Sequence, residues 1–106
     1  MQRSGWKKTT MSSNKITYFY MSGCPYCRHA DIAIEELIKE NPSYGETEIE
    51  RINETLHPLK VKNYDYYYVP TMFIEKDKLY EANPSEGYDE IKAAVKGVFD
   101  KALSLN

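Results

Sequence analysis

Ile16-Thr17-Tyr18-Phe19-Tyr20-Met21-Ser22-Gly23-Cys24-Pro25-Tyr26-Cys27 is the stretch from which the fold can be read. Its first six residues are β-branched, aromatic or apolar and carry no charge, which predicts a strand covered on both faces. Ser22-Gly23 ends that strand. Pro25 suits the first turn of a helix, because the N–H it lacks would be unpaired there anyway. From Cys27 onward the apolar residues Ala30, Ile34, Leu37 and Ile38 keep helical spacing, and Asn41-Pro42 stops the helix. Cys24 is thereby placed at a helix N-cap, with Cys27 one turn further in on the face that packs toward the core.

Working outward, Thr47, Ile49 and Ile52 support a weaker strand over Glu46 to Ile52. A short helix is expected from Pro58 to about Tyr64. Thr71-Met72-Phe73-Ile74-Glu75 is a second apolar strand, and a tight turn at Lys76-Asp77 leads into Lys78-Leu79-Tyr80-Glu81, making a hairpin. Asn83-Pro84 is expected to open the last helix, with Glu86 completing a capping box. That helix carries the apolar stripe Tyr88, Ile91, Ala94, Val95, Val98, Ala102 and Leu103, and Gly97 weakens it slightly. The order is β-α-β-α-β-β-α, an α/β class, and 106 residues suffice for one domain.

The charges exclude several function classes. Fourteen Lys and Arg are interspersed with sixteen Asp and Glu, for a net charge of -2, so no basic surface for nucleic acid or membrane is indicated. The longest uncharged run is too short to span a bilayer. Residues 1–14 contain Arg3, Lys7 and Lys8 but no apolar core, so they are not read as a secretory signal. They are expected to form a disordered leader, native or vector-derived, with Met11 a second candidate start and Trp6 outside the domain, which occupies 15–106. The expected compartment is the cytoplasm, where thiols stay reduced.

Two cysteines separated by two residues are there more often catalytic or metal-binding than a structural staple. At a helix N-terminus several N–H groups lack intrahelical partners, and their partial positive charge favours thiolate over thiol. Arg28, and His29 when protonated, push the same way. Cys24 is accordingly the expected attacking sulfur, with Cys27 close enough to form a disulfide with it and resolve a mixed disulfide. Structural zinc normally wants four ligands, and two cysteines with His29 and the distant His57 do not suggest one, so no metal site is assigned. His57 itself reads as a loop or cap residue.

Cys24-Pro25-Tyr26-Cys27 resembles the active site of dithiol glutaredoxins, and Val69-Pro70-Thr71 resembles the cis-proline loop shared by thioredoxins and glutaredoxins. The likeness runs from Ile16 to about Leu103. It implies a thioredoxin fold with a four-stranded mixed sheet flanked by helices. It also implies a thiol–disulfide oxidoreductase serving cell redox homeostasis and electron transport. Pro70 would be cis beside the Cys24 sulfur, Val69 would pair with an extended substrate segment, Tyr26 would shape the groove, and Thr71 joins them as a substrate-binding candidate. The Tyr66 to Tyr68 run reads more as packing and rim than as recognition, and its place just before Pro70 makes Tyr68 a candidate for the substrate rim. The expected substrates are disulfide-containing proteins or glutathione mixed disulfides. Glutathione is the expected reductant, with no cofactor held by the chain, and the protein is expected to act as a monomer.

The sequence departs from both patterns. Glutaredoxins usually carry a Lys shortly before the dithiol, whereas Tyr20 to Gly23 hold no cation. Their Gly-Gly turn is replaced here by Ala82-Asn83-Pro84-Ser85-Glu86-Gly87-Tyr88-Asp89, where the helix start near Gly87 could still receive an anion. Arg28, Lys60 and Lys62 are candidate substitutes for the missing cation. Thioredoxins commonly carry a buried carboxylate on the strand before the dithiol, and Ile16 to Met21 contain none. Two alternatives follow: a thioredoxin-like reductase recycled by a flavoprotein such as thioredoxin reductase, or a non-catalytic module binding an iron–sulfur cluster or metal.

Overall fold

Residues 14–105 are described by the computed structural model. Residues 1–13, with Trp6 and Met11, lie outside them, and so does the expectation of a disordered leader for nearly all its length. The elements are β1 (Ile16–Tyr20), α1 (Pro25–Glu40), a 3₁₀ turn (Pro42–Glu46), β2 (Ile49–Asn53), α2 (Pro58–Val61), β3 (Thr71–Ile74), β4 (Asp77–Glu81) and α3 (Tyr88–Ser104).

The strands form one mixed sheet in the order β2-β1-β3-β4. β1 runs parallel to β2, with Ile16 opposite Ile49, and antiparallel to β3, with Tyr18 opposite Met72. β3 and β4 close an antiparallel hairpin with a register shift between Met72 and Phe73. Its tight turn puts Glu75 at φ 55°. Strand alternation then sorts the side chains onto two faces. Ile16, Tyr18, Met72 and Ile74 point to the side covered by α1 and α3, where they join Ala30, Ile34, Leu37, Ile91, Val95, Val98 and Phe99. Phe19, Ile52 and Phe73 point the other way, against Val61, Tyr64, Tyr66 and Val69.

β1 has its first four residues buried, as a central strand between two layers must. The second layer is thin, because α2 is only four residues long and buries none of them. Aromatic rings do the covering instead: Tyr66 stacks on Phe19 with centroids 5.0 Å apart, and Tyr64 meets Phe73 edge-on at 4.8 Å.

Three boundaries differ from the sequence expectation. The helix expected to reach Tyr64 stops at Val61, and β2 begins at Ile49 because Pro42–Glu46 forms a 3₁₀ turn that buries Tyr44. The last helix opens at Tyr88 with Gly87 as N-cap, four residues after Pro84. Glu86 accepts from the Asn83 N–H (3.0 Å) and the Tyr80 hydroxyl (2.9 Å), fixing a turn that stands apart from α3. Glu90 closes on the Gly87 N–H at 2.6 Å and caps the helix in its place.

Candidate active site

β1 ends at the rim of the sheet, and Gly23 then turns the chain into α1 at φ +80°, a left-handed conformation that costs a residue with a Cβ about 1 kcal/mol or more. Cys24 caps α1 with its sulfur: the Cys27 N–H donates to Sγ at 3.2 Å. Cys24 is partly exposed while Cys27 is buried, so one sulfur faces solvent and the other the core. Burial, then the contact with Cys24, pushes the Cys27 thiol well above its ordinary value. The pair is thus asymmetric.

The Val69–Pro70 peptide is cis, and the Val69 carbonyl lies 3.8 Å from the Cys24 sulfur. Pro70 and Thr71 are buried; the Thr71 hydroxyl donates to the Tyr80 carbonyl at 2.7 Å, and the Pro70 carbonyl accepts from Ala82 N–H at 2.9 Å. These bonds fasten the loop to the β3–β4 hairpin. Tyr26 is half-buried and its hydroxyl donates to the Pro84 carbonyl, tying the motif to the segment before α3.

A cavity of about 190 Å³ reaches both sulfurs and is lined by Tyr20, Met21, Ser22, Gly23, Cys24, Cys27, Arg28 and Asp31. Arg28 lines the same cavity as the two cysteines. Lys60 does not line this cavity: it pairs with Glu50 at 3.3 Å and borders a separate hollow with Ile52, Asn63, Tyr64 and Lys76. Lys62 follows α2 and lines neither hollow. Tyr68 is 55% exposed at the rim, next to Tyr67 at 85%. Gly87, a candidate anion receiver, already gives its N–H to Glu90.

Sequence reasoning missed Asp31. Its Oδ1 accepts from the buried Tyr18 hydroxyl (3.1 Å) and from Arg51 (2.6 Å), and the same Tyr18 hydroxyl lies 3.2 Å from the Cys27 carbonyl. Asp31 adds to the upward push on the Cys27 thiol. The signal was available, since Asp31 follows Cys27 by four residues and so shares its helix face. Glu81 was also missed; its Oε2 accepts from the N–H groups of Tyr67 and Tyr68 and shapes the approach to Val69. Among the described residues no group of three or more His, Cys, Asp or Glu is placed to hold a metal ion, and no helix is long and apolar enough to cross a membrane.

Chemically, the arrangement offers one accessible sulfur stabilised at a helix start, a second one turn inward, and a loop carbonyl beside the first. Comparison with known proteins agrees in kind. The chain is 34% identical over 76 residues to a thioredoxin of Methanocaldococcus jannaschii, an alignment that covers 72% of this chain and 87% of that protein. No protein-family model matches the chain.

Proposed function

The chain belongs to the thioredoxin superfamily, and from that premise we propose that it reduces and exchanges disulfides through the Cys24/Cys27 dithiol. The observation that carries the proposal is the asymmetry of the pair: a partly exposed Cys24 sulfur accepting the Cys27 N–H, and a buried Cys27 one turn behind it. The Cys24 thiolate attacks one sulfur of a substrate disulfide, and the other substrate sulfur leaves with the bonding electron pair. Cys27 then gives up its proton to solvent or to the thiolate just released and attacks Cys24 Sγ. The Cys24–Cys27 disulfide forms, and the second substrate sulfur departs as a thiolate. Pro70 and the Val69 backbone flank the attack, Tyr26 and Tyr68 stand at the rim, and the buried Thr71 holds the loop through its bond to Tyr80 instead of bordering the groove.

Turnover of insulin disulfides by the reduced protein tests this directly. Cys24→Ser should abolish turnover, and Cys27→Ser should accumulate a mixed disulfide visible as a mass increase. A full rate in the Cys24→Ser protein refutes the mechanism. Pro25-Tyr26 supports a second, glutaredoxin-like reading in which glutathione mixed disulfides are substrates and glutathione returns the electrons. Supplying the oxidised protein with glutathione and glutathione reductase, or with NADPH and thioredoxin reductase, separates the two donors.

A further inference from the structure

A small anionic thiol is held by groups that receive its carboxylates, and near Cys24 the obvious receivers are backbone N–H groups of the loops on either side. The chain's own carboxylates already fill them. Glu81 Oε2 accepts from Tyr67 N–H at 2.6 Å and Tyr68 N–H at 2.8 Å, immediately before Val69. Across the groove, Glu86 holds the Asn83 N–H and Glu90 holds the Gly87 N–H. Asn83 Oδ1 accepts from the Ser85 N–H at 3.0 Å. The groove between these loops has a volume of about 350 Å³, and Glu81 lines it with Tyr67, Tyr68 and Pro84. It adjoins the dithiol through the Tyr26–Pro84 hydrogen bond.

An anion entering this groove would have to displace a bonded carboxylate and would meet like charge while doing so. Lys78 pairs with Glu81 through the other oxygen, Oε1, at 2.7 Å, which leaves Oε2 on the two N–H groups. The Glu81 side chain is 18% exposed, so solvent screens it incompletely. Arg28 lines the cavity at the sulfurs and not this groove.

Resting on the dithiol reading above, we infer that Glu81 occupies the place of a substrate carboxylate. The groove thereby refuses anionic small thiols such as glutathione, and the dithiol's partners are cysteines of polypeptides. Glu81 is a specificity-determining residue in this view and takes no part in bond making.

The test is reduction of the oxidised protein by glutathione and, in parallel, by neutral 2-mercaptoethanol. In each case two small thiols become one disulfide, and their two electrons and two protons pass to Cys24–Cys27. The ratio of the two rates cancels general changes in access to the disulfide. Glu81→Ala frees two N–H donors and removes the charge, and should raise the ratio of glutathione to mercaptoethanol rates about tenfold, the worth of one charge-assisted hydrogen bond. Glu81→Gln keeps an oxygen that can accept from both N–H groups while removing the charge, so it should raise the ratio by a smaller factor and covers the case in which the alanine protein loses its loop. An unchanged ratio in both variants overturns the role of Glu81. Insulin turnover by the wild type is measured alongside: if it is absent, the dithiol reading falls and this inference with it; if it is present with an unchanged ratio, only the inference falls.

Discussion

Raising the pH should destabilise the reduced protein in two stages. Cys27 is buried and its thiol is pushed far up, whereas in an unfolded chain a free thiol loses its proton near pH 9. Tyr18 and Tyr80 are buried and hydrogen-bonded to carboxylates; burial first, and those acids next, push both hydroxyls far above the ordinary tyrosine value of 10.0. The folded state thus keeps protons that the unfolded chain releases. Stability is complete below the unfolded values and falls as pH rises past them, at about 1.4 kcal/mol per pH unit for each group. By pH 11, Cys27 accounts for about 3 kcal/mol and each tyrosine for about 1 kcal/mol, on the order of 5 kcal/mol together. That is comparable to the whole stability of a small domain. Guanidinium titrations of the reduced protein, followed by circular dichroism from pH 8 to 11, should show a shallow loss from about pH 9 and a steeper one above pH 10. Cys27→Ser should remove the first stage, and Tyr18→Phe should make the second shallower. A stability that stays flat from pH 8 to 11, or a first stage that survives in Cys27→Ser, would refute the reasoning.

Two further predictions concern how the site is held. Gly23→Ala meets no steric obstacle, but its φ of +80° should cost about 1–2 kcal/mol and slow alkylation of Cys24 by iodoacetamide as the turn re-aims the sulfur; unchanged stability would contradict it. Leu37, on α1, is 2% exposed in the core shared with α3, so Leu37→Ala should cost about 2–5 kcal/mol, read as a lowered denaturant midpoint with an unchanged slope; a loss under about 1 kcal/mol would contradict this packing.

Local chemistry was most legible where one signal dominated. An uncharged β-branched and aromatic run, a glycine and a proline at a first helical position leave little choice for β1, the turn at Gly23 and the start of α1. The α3 boundary was harder because the segment carries two competing starts. Asn83-Pro84 with Glu86 and Gly87 with Glu90 both look like helix openings, and both sets of hydrogen bonds form. Tyr80, arriving from β4, gives its hydroxyl to Glu86 and holds the first as a turn, a contact made between elements. The second core layer was obscure for a similar reason. Its cover comes from Tyr64 and Tyr66 in a loop without periodicity, and strand register decides which rings they meet.

The sequence by itself determined that a cysteine caps a helix directly after a central strand, with a second cysteine one turn on. That follows from short-range spacing, and the reactive asymmetry of the pair follows with it. Tertiary structure decided what surrounds the pair. Packing α1 on the sheet set Asp31 against Tyr18 and Arg51 and brought the Val69 carbonyl to the Cys24 sulfur, while the pairing of β3 with β4 laid Glu81 across the N–H groups of the neighbouring loop. These partners lie from 13 to 45 residues apart along the chain. Residue type and spacing reveal the reactive atoms, whereas the groups that choose their partners meet only once the layers have packed.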